Sequence, residues 1–160
     1  MMIIFGNGTK LEKLWRDCVK VVFVCHGNTC RSPMAEAIFK SLVKDVDVSS
    51  AGMSVLKGQK AADNAVKICE FNNIDLKNHR AKNFSQLKIE NDDLILTLTC
   101  DIRDELKKSY PDLKIYTIKE YAGEEEYLDI KDPFGGDLLI YEMCFCEIRQ
   151  YLEKIIEIHY

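Results

Sequence analysis

Apolar residues in this chain fall into short continuous runs, separated by longer segments with a helical period. The clearest run, Val19 to Cys25 (VKVVFVC), is rich in β-branched residues and stops before Gly27 and Asn28. Such a run is typical of a strand buried in the centre of a parallel sheet. Similar runs predict further strands over residues 46–49, 94–98 and 115–118.

Apolar residues that recur every three or four positions predict the helices. Residues 32–43 are typical of a helix in which Ser32 is the N-cap and Pro33 occupies the first helical position. The same period predicts helices over residues 10–18, 61–72, 101–109 and 138–158.

The alternation of strands and helices predicts the fold class. Consecutive β-α-β units form right-handed crossovers, so the strands lie parallel and helices cover both faces of the sheet. The sequence therefore predicts an α/β protein with three layers. In such folds the binding site lies beyond the carboxyl ends of the strands, and the loop from Cys25 to Arg31 follows the first strand at that place.

Size, charge and cysteine content narrow the class of protein. With 160 residues, of which 47% are hydrophobic, the chain is long enough for one domain with a single core. A formal net charge of −4 disfavours bulk nucleic-acid binding, and no apolar stretch is long enough to span a bilayer. The chain has seven cysteines, an odd number, and no recognisable signal peptide. Together these features predict a cytoplasmic protein that has no disulfide framework. We expect a monomer by default.

The loop after the first strand carries the candidate chemistry, in the order Cys25-His26-Gly27-Asn28-Thr29-Cys30-Arg31-Ser32. Between a strand and a helix, successive backbone N–H groups of such a loop can turn inward and bind an anion, helped by the positive end of the helix. We expect Gly27 to supply the unusual backbone angles. Arg31 can close the ring with two parallel N–H donors to phosphate oxygens.

A thiol at the rim of this ring is a candidate nucleophile. The positive field of the loop favours the thiolate form of Cys25, which then lies beneath a bound phosphoryl group. Ser32 is placed to donate a hydrogen bond to that thiolate. The alternative is chance, because a Cys and an Arg at this spacing occur in many chains. The position between a buried strand and a helix start favours the functional interpretation.

A candidate general acid lies far along the chain, in the segment Asp132-Pro133-Phe134-Gly135-Gly136. A cysteine-dependent phosphatase needs an acid to protonate its leaving group. Pro133 stiffens the chain after Asp132, and the two glycines allow a sharp turn. On composition alone, an ordinary Asp-Pro turn ahead of a helix is the better interpretation.

Several segments together resemble the low-molecular-weight protein tyrosine phosphatase family. Residues 22–40 (VFVCHGNTCRSPMAEAIFK) are similar to its opening strand, phosphate loop and first helix. Ser50-Ala51-Gly52, Asn78-His79-Arg80-Ala81 and Asp132-Pro133 match further segments in the same order. The resemblance covers about residues 20 to 158. It implies a four-stranded sheet in the order 2-1-3-4 and a phosphatase domain over residues 19–160. The role of an N-terminal extension, residues 1–18, is left open.

The resemblance also implies roles for individual residues. Cys25 would attack phosphorus, Arg31 would hold the phosphoryl oxygens, and Asp132 would protonate the leaving atom and then activate water. A polar network that holds the loop is implied for Asn28, Ser50 and His79, although His79 is equally compatible with an ordinary surface histidine. Cys30 would be the reversible disulfide partner of Cys25. No cofactor or metal is implied.

Within the family, the resemblance looks closer to a bacterial branch that removes phosphate from arginine. Thr29 stands where tyrosine-specific members usually carry isoleucine, and Phe134 with Gly135 replaces the tyrosine pair of animal members. A threonine hydroxyl would suit the polar guanidinium, and Phe134 could stack on it. The alternative is that Thr29 is a neutral loop residue and that phosphotyrosine is the substrate.

An arsenate reductase and a non-catalytic phosphate-binding or redox module are the alternatives to a phosphatase that acts on phosphorylated proteins. An arsenate reductase on this fold needs two further, closely spaced cysteines in a mid-chain segment, and residues 70–99 contain none. A phosphate-binding or redox module without turnover would not need Cys25, Arg31, Ser32 and Asp132 together. Both alternatives are therefore disfavoured.

Overall fold

The computed structural model describes residues 20–159, which form a parallel sheet of four strands covered by helices. The strands are β1 (Val21–Cys25), β2 (Val48–Gly52), β3 (Leu94–Thr97) and β4 (Lys114–Thr117). The helices are α1 (Arg31–Leu42), α2 (Asp63–Phe71), α3 (Cys100–Ser109), α4 (Ile118–Tyr121) and α5 (Leu138–His159). A short 3₁₀ helix covers Phe84–Gln86.

The strand order is β2-β1-β3-β4, as the resemblance implied, and every pairing is parallel. In the register, Phe23 of β1 lies opposite Ser50 of β2 on one side and Leu96 of β3 on the other. All five residues of β1 are buried. This explains their apolar, β-branched character, because helices cover both faces of a central parallel strand.

Two hydrophobic clusters, one on each face of the sheet, confirm the three-layer prediction. One face packs against α1, α2 and α5, with Phe23, Phe39, Ile68, Phe145 and Leu152 among its buried residues. The opposite face packs against α3, with Val22, Val24, Ile95, Ile102 and Leu106 among its buried residues. The side chains of β1 alternate between the two clusters, as the period of a strand requires.

Several element boundaries differ from the predictions. Strand β2 runs over Val48–Gly52 rather than residues 46–49, because its serines and glycine pair in the sheet although they are not typical strand residues. Helix α1 begins at Arg31, so Cys30 and not Ser32 is its N-cap. Helix α4 and the 3₁₀ helix were not predicted, because they are too short for a helical period. The helix predicted over residues 10–18 lies outside the described residues.

The carboxyl ends of the strands face the loop that follows β1. Residues 26–30 connect β1 directly to α1, and the segment after α4 leads to Asp132 before α5 begins. The fold therefore places the predicted phosphate loop at the edge of the sheet where α/β proteins bind ligands. None of the helices within residues 20–159 combines the length and apolar character that a membrane span requires.

Candidate active site

Neighbouring segments hold the phosphate loop, residues 25–31, by its carbonyl groups. The carbonyls of Cys25 and His26 accept hydrogen bonds from the N–H groups of Met53 (3.1 Å) and Ser54 (3.0 Å). The carbonyl of Thr29 accepts one from the N–H of Ala62 at 2.9 Å. Within residues 20–159, the N–H groups of residues 26–30 donate to no other protein group. A row of free N–H groups of this kind can bind an anion.

Asn28, and not Gly27, is the loop residue with left-handed backbone angles. Its φ is 54°, whereas the expectation for Gly27 was wrong because Gly27 has no positive φ. Asparagine tolerates this conformation better than most residues. The Asn28 side chain is fully buried, and its Oδ1 accepts a hydrogen bond from the N–H of Lys82 at 3.0 Å. This bond fixes which way the Asn28 amide points.

The amide nitrogen of Asn28 orients the hydroxyl next to the nucleophile. Nδ2 of Asn28 donates to Ser32 Oγ at 2.9 Å and to Ser50 Oγ at 3.0 Å. Ser32 Oγ lies 2.9 Å from Cys25 Sγ and 3.3 Å from the carbonyl oxygen of Ala51. Ser32 has one proton to donate, and the sulfur of Cys25 at 2.9 Å is a nearer acceptor for it than the carbonyl oxygen of Ala51 at 3.3 Å. The contact predicted between Ser32 and Cys25 is therefore present, with a geometry that stabilises a thiolate.

A carboxylate at the end of this network was not predicted. Ser50 Oγ donates to Glu36 Oε2 at 2.5 Å, and Glu36 Oε1 pairs with Lys40 at 2.6 Å. Because Ser50 uses its proton on Glu36, it can only accept from Asn28. In the sequence, Glu36 and Lys40 are indistinguishable from an ordinary surface pair one turn apart on a helix.

His79 joins the network from the loop before the 3₁₀ helix. Its Nε2 lies 2.8 Å from the carbonyl oxygen of Asn28. A carbonyl only accepts, so Nε2 carries the proton. Burial lowers the pKa of His79, which favours the neutral ring at physiological pH. The structure thus joins Asn28, Ser50 and His79 by hydrogen bonds.

Arg31 is buried, and one nitrogen of its guanidinium group has no hydrogen-bond partner. Its Nη1 donates to the carbonyl oxygen of Ile130 at 2.9 Å, and Nη2 lies 3.4 Å from Oδ2 of Asp132. Its Nε has no hydrogen-bond partner and is buried. A buried N–H without an acceptor costs about 1–3 kcal/mol. A phosphoryl oxygen beside Nε would remove that cost.

Asp132 lies at the mouth of the site. Its side chain is about half exposed, and its Oδ1 accepts from the N–H of Phe134 at 3.1 Å. Ile130, two residues earlier, donates from its N–H to the carbonyl of Leu98, the residue just after β3, at 2.8 Å. The tertiary structure thus brings Asp132 beside Arg31, although about a hundred residues separate them.

Gly52, at the end of β2, allows the chain to pass close to the phosphate loop. A Cβ atom at this position would lie 2.7 Å from the carbonyl oxygen of His26 and 3.0 Å from the backbone nitrogen of Asn28. It would also lie 2.6 Å from Cγ2 of Val55. Such distances are too short for any other residue, so Gly52 is required here for close approach.

Cys30 belongs to the phosphate loop, and its side chain is buried. Its Sγ lies 3.2 Å from the hydroxyl of Tyr141 and 3.7 Å from Oγ1 of Thr29. Burial raises the pKa of Cys30, so this thiol stays protonated at neutral pH. The contact with Tyr141 of α5 was not predicted, because no local sequence signal links a loop cysteine to a tyrosine in the terminal helix.

His26, Thr29 and Phe134, the three other residues predicted for the site, are partly or largely exposed. The imidazole of His26 is exposed, so only its backbone takes part in the loop. Thr29 is partly buried, and the Phe134 ring is 74% exposed next to Asp132. Within residues 20–159, no group of three or more His, Cys, Asp or Glu side chains is arranged to hold a metal ion.

Comparison with known proteins identifies related chains over almost the whole described part. A family model described as low molecular weight phosphotyrosine protein phosphatase matches residues 20–158. The low molecular weight protein-tyrosine-phosphatase PtpB of Staphylococcus haemolyticus is 36% identical over 138 residues, which cover 86% of this chain and 97% of PtpB. The protein-arginine-phosphatase of Bacillus subtilis is 37% identical over 142 residues, which cover 84% and 93%.

Solved structures agree with these sequence relationships. The YwlE arginine phosphatase from Geobacillus stearothermophilus superposes with a TM-score of 0.77 and is 31% identical. The superposition covers 87% of this chain and 91% of YwlE. Relatives named as tyrosine phosphatases and relatives named as arginine phosphatases are therefore similar to this chain to about the same degree.

Proposed function

Because the chain belongs to the low molecular weight phosphotyrosine protein phosphatase family, we propose that it hydrolyses phosphorylated side chains of proteins through a phosphocysteine intermediate. One observation carries the proposal. Within residues 20–159, the N–H groups of residues 26–30 have no protein acceptor and Nε of Arg31 has no partner, in a loop that begins at Cys25, whose sulfur is 2.9 Å from Ser32 Oγ. This is a site for a dianionic phosphoryl group with a nucleophile beneath it.

In the first step, the Cys25 thiolate attacks phosphorus. A sulfur–phosphorus bond forms while the bond from phosphorus to the leaving oxygen or nitrogen breaks. Asp132, at the mouth beside Arg31, donates a proton to the leaving atom. The N–H groups of residues 26–30 and the Arg31 guanidinium stabilise the charge on the equatorial oxygens.

In the second step, water attacks the phosphocysteine. Asp132, now a carboxylate, takes a proton from that water, and the sulfur–phosphorus bond breaks to release inorganic phosphate. The leaving thiolate of Cys25 is stabilised by the proton of Ser32. Asn28 holds the Ser32 hydroxyl in place by donating to its oxygen, and the Ser32 proton turns to the thiolate in preference to the more distant carbonyl oxygen of Ala51.

We further propose that phosphoarginine is the preferred substrate. Thr29 is partly buried at the loop, where its hydroxyl can accept a hydrogen bond from the guanidinium that carries the phosphoryl group. The Phe134 ring at the mouth is exposed and can stack on the guanidinium plane. Named arginine phosphatases among the relatives support this choice, and relatives named for tyrosine make phosphotyrosine the second candidate.

Substituting Thr29 with isoleucine tests this specificity. With matched phosphoarginine and phosphotyrosine peptides, wild type is expected to favour phosphoarginine in kcat/KM. Thr29→Ile is expected to reduce that preference by about ten- to a hundredfold, because one charge-assisted hydrogen bond contributes roughly 1.5–3 kcal/mol. Phosphate release is the measurement.

A Thr29→Val variant provides the isosteric control for that experiment, since it removes the hydroxyl without adding a methylene group. Equal losses in both variants would assign the preference to the hydroxyl. A wild type that favours phosphotyrosine would contradict the arginine proposal and leave the catalytic steps intact.

We also propose that Cys30 protects the nucleophile during oxidation. Peroxide would convert Cys25 to a sulfenic acid, and Cys30 would attack that sulfur as its proton passes to the departing hydroxyl, so that a disulfide forms and water leaves. Peroxide-treated protein is expected to lose the mass of two hydrogens and to regain activity in dithiothreitol. Cys30→Ser should instead accumulate oxygen on Cys25 and stay inactive. Full recovery of Cys30→Ser would contradict the role of Cys30.

A further inference from the structure

The segment that carries Asp132 has no regular structure of its own. Residues 122–137, between α4 and α5, form no helix and no strand. A side chain on such a segment is placed less precisely than one on a helix or a strand, unless contacts with the rest of the fold hold the segment. The position of the candidate general acid therefore depends on the bonds that anchor its neighbours.

The anchors lie two and three residues before Asp132. The N–H of Ile130 donates to a carbonyl just after β3 at 2.8 Å, and its carbonyl accepts from Arg31 Nη1 at 2.9 Å. Asp129 adds a bond from its side chain, because Oδ1 accepts from the N–H of Cys100 at 2.6 Å. Three residues of extended chain span at most about 10 Å, so Asp132 lies close to the Asp129 anchor.

The bond of Asp129 also caps helix α3, which begins at Cys100. The first N–H groups of a helix have no acceptor within the helix, and a side-chain oxygen often supplies one. Thr99 occupies the local N-cap position, but its side chain makes no bond to the N–H groups of α3. The acceptor comes instead from the segment that carries the acid, where the positive end of the helix dipole further stabilises a carboxylate. The cap thus joins α3 to that segment.

On its other side, Asp132 is held by a turn. Its Oδ1 accepts from the N–H of Phe134 at 3.1 Å, and Pro133 between them restricts the backbone. Asp132 thus lies between this turn and the two anchors. Loss of the Asp129 bond would free one side of this arrangement and let the Asp132 carboxyl move within the mouth of the site.

We propose that Asp129 is a positioning residue for the general acid: its bond to the first N–H of α3 keeps the Asp132 carboxyl where it can protonate the leaving atom. In this arrangement Asp129 acts through Asp132 and not on the substrate. The inference rests on the proposed function and adds a residue to it. General-acid catalysis contributes about 10²–10⁴-fold and needs an acid within hydrogen-bond reach, so a displacement of about 1 Å removes part of it.

Two aryl phosphates test the role of Asp129. Para-nitrophenolate leaves readily without a proton, whereas phenolate depends on the acid. The ratio of kcat/KM for para-nitrophenyl phosphate to that for phenyl phosphate therefore reports on proton donation. Asp129→Ala is expected to raise this ratio by about tenfold, and Asp129→Asn, which keeps an acceptor oxygen for the Cys100 N–H, by about threefold. Asp132→Asn gives the ratio without the acid. Each ratio is taken on one sample, so it does not depend on the fraction of folded protein.

Asp101→Ala is the matched control, because Asp101, like Asp129, is an exposed carboxylate at the start of α3. It is expected to keep the wild-type ratio. A wild-type ratio in the Asp129 variants that fold, or an equal rise in Asp101→Ala, would overturn the positioning role. An unchanged ratio in Asp132→Asn would overturn both this role and the general-acid step. Inactivity of wild type on both substrates would refute the proposed function itself.

Discussion

Cys25→Ser is expected to lower phosphatase activity by on the order of 10⁵-fold, to the level of buffer alone. Serine keeps the contact with Ser32 but is a neutral alcohol at neutral pH, so no anionic nucleophile lies beneath the phosphoryl group. The free N–H groups of the loop and Arg31 remain, so inorganic phosphate should still bind. Release of para-nitrophenol measures the loss, and equilibrium binding of phosphate shows that the site is intact.

Cys146→Ser is the matched control, since it makes the same chemical change at an exposed cysteine on α5. It is expected to leave turnover unchanged. If Cys25→Ser kept a tenth or more of wild-type activity, the nucleophile would have to be another group, and the phosphocysteine mechanism would be wrong.

Arg31→Lys is expected to lower kcat/KM by about a thousandfold, although the charge is retained. The guanidinium donates to the carbonyl of Ile130 through Nη1 while its Nε has no partner within residues 20–159, so in the proposed mechanism one rigid group holds both the segment that carries Asp132 and the phosphate. Lysine is a point charge that cannot make these bonds together. A loss of roughly 3–4 kcal/mol is typical when a preorganised transition-state donor is removed.

The measurement is kcat/KM on para-nitrophenyl phosphate, together with the inhibition constant of inorganic phosphate. Arg149→Lys is the control, because Arg149 forms a surface pair with Glu153 at 3.0 Å. Both variants should show thermal unfolding close to that of wild type. An Arg31→Lys enzyme within tenfold of wild type would show that charge alone suffices, against the role given to the guanidinium geometry.

The elements predicted correctly are those whose pattern is long or continuous. β1 was identified from an uninterrupted apolar run, since it is covered on both faces, and α5 from a helical period sustained over six turns. The bounds of β2 were wrong because serine and glycine are not typical strand residues, and two of them have tertiary reasons to be there: Ser50 bonds to Asn28 and Glu36, and Gly52 allows the close approach of the phosphate loop. Functional demands on a strand override its propensity.

Inside the phosphate loop, two local assignments were also wrong. The left-handed conformation belongs to Asn28, whose side chain has buried partners on three segments, rather than to Gly27. Ser32 is not a helix cap, because Asn28 and Cys25 engage its hydroxyl. In both cases a tertiary partner replaced the local rule, which a propensity argument cannot anticipate.

What the sequence by itself determined is the class of fold and the identity of the loop from Cys25 to Arg31. These depend on residues that are contiguous, so strand, loop and helix can be identified from one short segment. The resemblance implied Asp132, Ser50 and His79 as partners of that loop, but only the tertiary structure decided how these distant groups contact it and added Glu36 and Tyr141. Glu36 and His79 reach it through Ser50 and Asn28, Tyr141 contacts Cys30, and Asp132 lies beside Arg31. The reason is physical: packing of helices on the sheet sets the distances between segments that are far apart in the chain, and no local propensity encodes those distances.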